Sequence, residues 1–552
     1  MLVNDKIWMA QGEDPCFLLL GQANRHGLIA GASGTGKTVT LKVMAEGFSQ
    51  AGVPVFMADV KGDVTGMAEA GQMTDFIRKR CQDTFGLEPD QVSFVGCPVR
   101  VWDMLGDAGL PVRITISDMG PVLLSRLLGL TDVQEGVLTI VFRVADDNGL
   151  LLIDLKDLRS MLAYVSEHAK EYQATYGNVS AASVGAIQRA LMVVEDQGGD
   201  VFFGEPNLDL ADWFCRAPDG RGYVNVLNAA RLIQTPQIYA MFLLWMLSSL
   251  FDALPEVGDP DKPAFVFFFD EAHLLFDGMP KALQDKLVQV VKLIRSKGVG
   301  VYFITQSPSD IPDEVLAQLS NRVQHGLRAY TPAEQRAVRA AAESFRANPA
   351  FDSVQALQEV GTGEALVSFL DEEGAPCVVQ RAKVLFPQCS MAAASDATML
   401  QVQEAQADLM GKYGDAVDRQ SAFEQIQDQK ANDEASARLA AEREALEREK
   451  AEFEAKRQAE ADAAAKQKEK DDAKAAAAAQ RELERQRRQA ERDAQAALKR
   501  QQREAERVAR EEARRREQLS KQAQRVVGSL LGTFGREATR QLTRGLFGAL
   551  RR

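Results

Sequence analysis

The sequence predicts an α/β protein in which a mainly parallel sheet is covered by helices on both faces. Two observations support this fold class. Short, continuously apolar runs recur along the first part of the chain, and segments of helical periodicity separate most of them. The chain can also bury a sizeable core, because it has 552 residues and 46% of them are hydrophobic.

Six apolar runs have the length and composition of buried strands. In chain order they are "HGLIAG" (26–31), "VPVFMADV" (53–60), "GYVNVLNA" (222–229), "AFVFFFDE" (264–271), "GVYFITQS" (300–307) and "EALVSFL" (364–370). Parallel strands need long crossover connections, which are usually helical. The runs and the helical segments between them therefore fit a single sheet.

Changes in composition predict the domain boundaries. We expect a core over residues 1–395, with a mainly helical insertion at about 111–220 between the second and third of these strands. Residues 396–429 are interpreted as a linker. A charged long helix or coiled coil is expected over 430–524, and a basic amphipathic tail rich in glycine and arginine over 525–552.

The charged segment after the core consists almost entirely of Ala, Glu, Lys, Arg, Gln and Asp, without Gly or Pro. This composition favours a long helix. Leu439, Leu446 and Phe453 lie at heptad spacing, but alanine replaces this apolar seam further along. A coiled coil and a solvated single helix both remain open.

Composition also excludes several classes of protein. A net charge of −13 and a pI near 5.1 argue against a surface that coats nucleic acid as a whole. The six cysteines form no CxxC pair, so neither a zinc site nor a disulfide framework is indicated, and this usage fits a reducing cytosol. The acidic start does not resemble a signal peptide, and no apolar run is long enough to cross a membrane. We therefore expect a cytoplasmic protein without a transmembrane segment.

The first chemical motif is a phosphate-binding loop that follows the strand "GLIA" and opens a helix. Its glycines let backbone N–H groups turn towards a β-phosphate, and the helix points its positive end at the anion. Lys37 is expected to reach the β- and γ-phosphates of ATP, and Thr38 to offer its hydroxyl to Mg²⁺. The nucleotide-binding residues are Gly31, Ala32, Ser33, Gly34, Thr35, Gly36, Lys37 and Thr38.

The second motif is the strand "AFVFFF", which ends directly in two acidic residues. This is the Walker-B pattern, in which Asp270 holds Mg²⁺ through its water shell and Glu271 orients or deprotonates the attacking water. A strand that merely ends in a solvated acidic turn is the alternative. We interpret His273, two residues further on, as a helix-start or core residue rather than a catalytic one.

A third strand end and two arginines complete the candidate site. Gln306 follows the strand "VYFIT", where a polar side chain can touch the γ-phosphate or the attacking water; a simple polar strand cap is the alternative. The transition state of phosphoryl transfer needs a cation, often an arginine from a neighbouring subunit. Arg295 fits that role or caps a helix, and Arg322 is the weaker candidate.

These motifs together resemble the HerA–FtsK superfamily of P-loop motors, and within it the stand-alone HerA-like C-terminal-domain branch of YjgR-type bacterial proteins. The resemblance spans roughly residues 10–390. It rests on "GASGTGKT", "VFMADVKGDVTG", "FVFFFDEAHLLF", "LVQVVKLIRSKGVGVYFITQSPSDIP" and "VLAQLSNRVQHGLRAYTPAEQRAV". HerA itself carries a β-barrel before its phosphate loop, whereas thirty residues precede Gly31 here, so its nuclease partnership is not carried over.

The resemblance implies a RecA-like motor core that hydrolyses ATP with Mg²⁺ and assembles into a hexameric ring. It implies that Arg295 is the arginine that reaches the next subunit. In the family's acidic strand-end segment, Asp59 and Asp63 face the nucleotide or the pore, or else they only form the turn.

Two functions follow from different classes of protein. The first is a translocase or helicase acting on DNA, and the family resemblance is its main support. The second is an ATPase-driven scaffold whose C-terminal arm and cationic tail dock a partner protein or an anionic membrane surface. Stimulation of the ATPase by DNA at low salt distinguishes the two.

Overall fold

The computed structural model of the chain describes residues 1–106, 108–232, 236–276, 281–468 and 473–527. The chain divides into two compact units. The first is Met1–Phe423 and the second is Glu424–Arg552.

Within the described part of the first unit, thirteen strands form one sheet. They are β1 (Leu2–Val3), β2 (Lys6–Gln11), β3 (Pro15–Leu19), β4 (Gly27–Ala30), β5 (Val55–Asp59), β6 (Val99–Asp103), β7 (Leu110–Pro111), β8 (Val224–Asn228), β9 (Phe265–Phe269), β10 (Val299–Thr305), β11 (Asn321–His325), β12 (Glu364–Ser368) and β13 (Gln380–Val384). Their order across the sheet is β1-β2-β13-β12-β11-β4-β10-β9-β5-β8-β6-β7, and β3 pairs with β2.

The sheet is parallel over its larger part. Every neighbouring pair from β11 to β7 is parallel, whereas β12, β13, β2, β1 and β3 add an antiparallel edge. The predicted α/β class with a mainly parallel sheet is confirmed, and all six apolar runs form strands. The run at 364–370 contributes β12, which lies antiparallel to β11.

Strand β9 shows why continuous apolar runs mark the centre of this sheet. All five of its residues are buried, because helices cover both faces of the sheet. On one face Phe267 packs against Phe56 of β5, and on the other Phe268 packs against Phe48. The strand therefore reads "FVFFF" instead of alternating with polar residues.

The helices of the first unit connect and cover these strands. They are α1 (Lys37–Gln50), α2 (Asp75–Arg80), α3 (Ile116–Leu127), α4 (Asp132–Asp147), α5 (Leu155–Glu167), α6 (Ala169–Tyr176), α7 (Ala181–Val194), α8 (Asp200–Phe202), α9 (Pro236–Ala253), α10 (His273–Phe276), α11 (Lys281–Ile294), α12 (Asp313–Leu316), α13 (Pro332–Glu343), α14 (Ser353–Glu359), α15 (Asp396–Ala405) and α16 (Ala407–Tyr413).

Two strands that sequence analysis did not predict lie between β5 and the helical insertion. Helices α3 to α8 form it, but β6 and β7 precede it and extend the parallel sheet beyond β8. Strand β6 was not predicted because charged residues, Arg100 and Asp103, stand at its second and last positions. The guanidinium of Arg100 lies 3.8 Å from the centroid of the Tyr223 ring and donates a hydrogen bond of 2.7 Å to the carbonyl of Asp212.

The segment interpreted as a linker differs in the structure. Much of 396–429 folds into α15 and α16 and belongs to the first unit. Tyr413 is fully buried, packs edge-on against Trp102 and donates a hydrogen bond to a carboxylate oxygen of Asp212. The polar composition of this stretch obscured the few apolar side chains that anchor it.

The second unit contains two long helices, α17 (Ala422–Lys468) and α18 (Ala473–Val527). Arg487 of α18 forms an ion pair of 2.6 Å with Glu454 of α17, and Asn432 donates a hydrogen bond of 2.6 Å to Glu512. A continuous helix would separate residues 33 positions apart by about 50 Å, so α17 and α18 are not parts of one straight helix. The two helices pack antiparallel to each other, and a solvated single helix over 430–524 does not describe this segment.

Nearly all of the predicted basic tail, 525–552, lies outside the described residues, apart from its first three positions in α18. Across the described ranges, no helix combines the length and apolar character required to span a bilayer.

Candidate active site

The parallel strands place the candidate residues together at the carboxyl ends of the central strands. Strands β4, β10, β9 and β5 are consecutive neighbours, so their carboxyl ends lie side by side. Ala30 pairs with Thr305, and Phe303 pairs with Phe269. The phosphate loop, the acidic pair and Gln306 therefore follow adjacent strand ends.

The phosphate loop (residues 31–36) curls tightly between β4 and α1. Gly31 has φ +152°, and a Cβ atom there would lie 2.5 Å from the Cβ of His325. Gly36 has φ +114° immediately before α1 begins at Lys37. These glycines thus let the loop curl in front of the amino end of α1, a position that suits a phosphate.

Lys37 folds back over this loop. Its Nζ donates hydrogen bonds to the carbonyls of Gly31 at 2.7 Å and Ala32 at 3.2 Å. Burial lowers the pKa of Lys37, although the nearby carboxylates of Glu271 and Asp270 act in the opposite direction. The ammonium group is positioned to exchange these carbonyls for phosphate oxygens.

A second layer of contacts supports the loop from β11 and β12. The buried imidazole of His325 hydrogen-bonds the hydroxyl of Thr40 through Nε2 at 2.8 Å and the carbonyl of Glu364 through Nδ1 at 3.0 Å. Burial lowers the pKa of His325 to about 4, so the ring is neutral at pH 7. The amide of Gly363 donates to the carbonyl of Thr35 at 2.9 Å. Sequence analysis missed this support, because its partners are distant in the chain.

The acidic pair follows β9 as predicted. Asp270 is buried, and its Oδ1 accepts a hydrogen bond of 2.9 Å from the backbone N–H of Glu271. Burial raises the pKa of Asp270 to about 6, while Lys61 counteracts the shift. A carboxylate in such surroundings gains from a cation, so Asp270 is suited to hold a metal ion.

Glu271 lies at the centre of the site. Its backbone has φ +48°, which is uncommon for a residue with a side chain. Oε1 lies 2.7 Å from Nζ of Lys61, and Oε2 lies 3.3 Å from Nδ1 of His273 and 3.5 Å from Nε2 of Gln306. Burial alone would raise the pKa of Glu271, but these contacts, led by Lys61, hold it below its ordinary value.

Lys61 was missed by sequence analysis. It follows β5, whose carboxyl end lies beside that of β9, and it supplies the closest charge to Glu271. The signal was present in "ADVKGD", where a lysine stands between two aspartates at a strand end. His273 opens α10, as predicted, and also contacts the site.

The two aspartates beside Lys61 differ in their surroundings. The carboxylate of Asp59 accepts hydrogen bonds from the backbone N–H groups of Gly62, Val64 and Thr65, so it closes the turn after β5. Asp63 has a buried Oδ1 for which the described residues offer no hydrogen-bond partner. After burial, the main cause, the charge of Asp63 is among those that raise the pKa of Asp270.

The structure does not bring the candidate arginines to the carboxyl ends of these strands. Arg295 precedes β10 and so lies at the opposite end of that strand from Gln306. It forms an ion pair of 3.1 Å with Asp259. The guanidinium of Arg322 donates to the carbonyls of Leu319 at 2.8 Å and Leu316 at 2.9 Å. Burial lowers the pKa of Arg322, and these hydrogen bonds give it a structural role.

A cavity of about 480 Å³ opens beside the phosphate loop. Ser33 of the loop, His273 and Gln306 form part of its wall, and Arg328 and Glu334 face them from the segment around the start of α13. A volume of this size falls in the range of small-molecule sites. Sequence analysis did not single out Arg328, whose side chain is exposed.

Comparison with known proteins identifies relatives of the chain. Residues 4–478 match the family described as Helicase HerA-like C-terminal. A probable helicase of Methanocaldococcus jannaschii is 30% identical over 125 residues, which cover 22% of this chain and 22% of that protein.

Solved structures with a similar arrangement include two proteins. The bacterial conjugative coupling protein TrwB shares 14% identity, covers 68% of this chain and 90% of its own, and has a TM-score of 0.45. It has also been solved in complex with ADP and Mg²⁺, with a TM-score of 0.42 over 67% of this chain and 88% of its own at 14% identity. VirB4 of Thermoanaerobacter pseudethanolicus shares 15% identity, covers 72% of this chain and 99% of its own, and has a TM-score of 0.42.

Proposed function

Because the chain belongs to the Helicase HerA-like C-terminal family of P-loop ATPases, we propose that it is an ATP-hydrolysing ring motor that translocates or unwinds DNA. One observation carries the enzymatic part of the proposal. The phosphate loop, Asp270, Glu271 and Gln306 meet at the carboxyl ends of three neighbouring strands, β4, β10 and β9, although 275 positions separate Gly31 from Gln306 in the chain.

Nucleotide binding is proposed for the phosphate loop and the start of α1. Lys37 exchanges its contacts with loop carbonyls for the β- and γ-phosphate oxygens, and backbone N–H groups of the loop bind the phosphates. Asp270 and the hydroxyl of Thr38 would hold Mg²⁺. The raised pKa of the buried Asp270 fits this role, because a bound cation stabilises the charged carboxylate. When bound, Mg²⁺ neutralises charge on the phosphates.

Hydrolysis is proposed to depend on Glu271 as the general base. Its carboxylate lies on the next strand end to Gln306, within 3.5 Å of that amide, so the two side chains can hold one water molecule between the acidic pair and the phosphate loop. Gln306 then positions the water, and Glu271 accepts its proton. The low exposure of Glu271, 8% of its side chain, limits access of bulk water to the base.

A ring is proposed because Arg295 cannot serve the site of its own chain. The seven residues of β10 separate it from Gln306, a distance of about 23 Å along the strand. An arginine at the amino end of β10 can therefore reach only the γ-phosphate bound by a neighbouring copy of the chain. The ion pair with Asp259, with 41% of the Arg295 side chain exposed, is weak enough to be exchanged for a phosphate.

The experiment that tests this function measures phosphate release with no DNA, with single-stranded DNA and with double-stranded DNA, and determines the mass of the assembly in the presence of ATP. We expect stimulation by DNA that declines as salt is raised, because phosphate contacts release counterions. An ATPase that is indifferent to both DNAs at low salt would refute the DNA motor and favour a scaffold.

The catalytic assignment is tested in the same assay with Glu271→Gln. We expect turnover to fall at least about 100-fold while nucleotide binding persists, because the amide cannot accept a proton from water. Glu314→Gln is the matched control, since Glu314 also pairs with a lysine, Lys292, but lies on the surface. Unchanged turnover in Glu271→Gln would remove Glu271 from the mechanism.

A further inference from the structure

The turn after β5 holds Lys61 in a defined place. The carboxylate of Asp59 accepts backbone hydrogen bonds of 2.6 Å from Gly62, 3.0 Å from Val64 and 3.2 Å from Thr65. None of these bonds involves the side chain of Lys61. The backbone of the turn is therefore expected to keep its shape when that side chain is changed.

The Lys61–Glu271 ion pair joins an accessible group to an inaccessible one. Nζ of Lys61 lies 2.7 Å from Oε1 of Glu271, yet 48% of the Lys61 side chain is exposed, compared with 8% for Glu271. A Cβ atom built on neighbouring Gly62 would meet nothing within 4 Å, so the outer face of the turn is open. A ligand can therefore approach Lys61 from outside without entering the site.

The position of Lys61 in the sheet sets the direction in which it pulls. The strand order is β4-β10-β9-β5, so β9 lies between the strand that precedes Lys61 and those that precede Gln306 and the phosphate loop. Lys61 thus draws Oε1 of Glu271 away from the loop, whereas Gln306 contacts Oε2 from the other side at 3.5 Å. A water that attacks a phosphate on the loop must lie on the Gln306 side.

Among the other charged groups around Glu271, Lys37 attracts the carboxylate from the loop side, but its Nζ donates hydrogen bonds to the carbonyls of Gly31 and Ala32. His273 lies 3.3 Å from Oε2, on the next turn of the same segment. Asp270 and Asp63 attract the ammonium of Lys61 to the same region, and the positive charge of Lys37 approaches from α1. Lys61 is the group in direct contact with Oε1.

From these contacts we propose that Lys61 is a positioning residue that holds Glu271 turned away from the phosphate loop, and that turnover requires this ion pair to open. The inference rests on the proposed role of Glu271 as general base. An anion that binds the exposed side of Lys61 opens the pair, and the phosphate backbone of DNA is the anion that the proposed function supplies. ATP hydrolysis is thereby coupled to occupancy of the DNA site.

The test compares Lys61→Met, Lys61→Arg and wild-type protein in the phosphate-release assay with and without double-stranded DNA. We expect Lys61→Met to raise kcat without DNA about fivefold, a change of about 1 kcal/mol, which is what a partly exposed ion pair contributes. KM for ATP should stay unchanged, because Lys61 does not hold nucleotide before the pair opens. Lys61→Arg keeps the charge and should restore the low rate of the wild type.

Lys292→Met is the matched control, because Lys292 pairs with Glu314 at 3.1 Å on the surface of α11 and should leave the rate unchanged. A kcat without DNA that stays the same or falls in Lys61→Met would overturn the inference, as would an equal increase in Lys61→Arg. Failure of the proposed function gives a different result, since then Glu271→Gln keeps its turnover or DNA leaves the wild-type rate unchanged.

Discussion

Replacing His26 by Asn should make the stability of the first unit less sensitive to acid. The ring of His26 is buried immediately before β4. Its Nδ1 accepts a hydrogen bond of 3.1 Å from the amide of Val301, so Nε2 carries the proton and donates to the carbonyl of Val291 at 2.8 Å. A second proton on Nδ1 would face the N–H of Val301.

The size of the effect follows from the pKa of the ring. Burial, helped by the charge of Arg295, lowers the pKa of His26 to about 4 from its ordinary 6.5. Between these values the unfolded chain binds a proton that the folded chain does not, so stability is complete above pH 6.5 and is lost as pH falls towards 4. Between pH 7 and pH 5 the loss is about 2 kcal/mol.

Urea unfolding of wild type and His26→Asn at pH 7 and pH 5 measures this difference. Asn suits the site because its amide oxygen can accept the bond from Val301, and the strained backbone at this position, with φ +57° and ψ 170°, is common to both proteins. The drop in unfolding free energy between the two pH values should be about 2 kcal/mol smaller in the variant. Equal drops in both proteins would show that His26 is not held neutral.

Two further predictions concern the nucleotide site. Arg295→Ala and Lys37→Ala subunits should each be inactive alone, and mixing them should restore part of the ATPase activity. Some interfaces of the mixed assembly then combine an intact phosphate loop with an intact arginine from the neighbouring subunit. If no activity returns, Arg295 has only a structural role. Gly31→Ala should reduce binding of a fluorescent ATP analogue at least about tenfold, because its Cβ would lie 2.5 Å from the Cβ of His325 at φ +152°. Wild-type affinity in Gly31→Ala would contradict the close packing of the loop.

Local sequence patterns predicted the centre of the sheet well, because burial on both faces leaves continuous apolar runs such as β9. They failed where a strand contains a charged residue that finds its partners elsewhere. In β6 the guanidinium of Arg100 reaches the Tyr223 ring and the Asp212 carbonyl, more than a hundred positions away. No window of sequence contains those partners, so the strand could not be distinguished from a polar loop.

Distance along the chain also separates the site residues that sequence analysis predicted from the one that it missed. Gly31–Thr38 and the acidic pair were predictable because each motif is contiguous and follows an apolar strand, and carboxyl ends of neighbouring parallel strands must meet. Lys61 acts on Glu271 across 210 positions of chain, and only the order of β5 beside β9 reveals it.

Arg295 shows that closeness along the chain does not place two side chains in one site. It stands eleven positions before Gln306, and sequence analysis assigned it either to the nucleotide site of a neighbouring subunit or to a helix cap. Strand β10 lies between them, so Arg295 is at the amino end of that strand and Gln306 is at its carboxyl end. Within one chain these two side chains cannot act on the same phosphate. If the arginine takes part in hydrolysis, a second copy of the chain must complete the site. Recovery of activity on subunit mixing would then show both that the subunits assemble and that Arg295 acts across their interface.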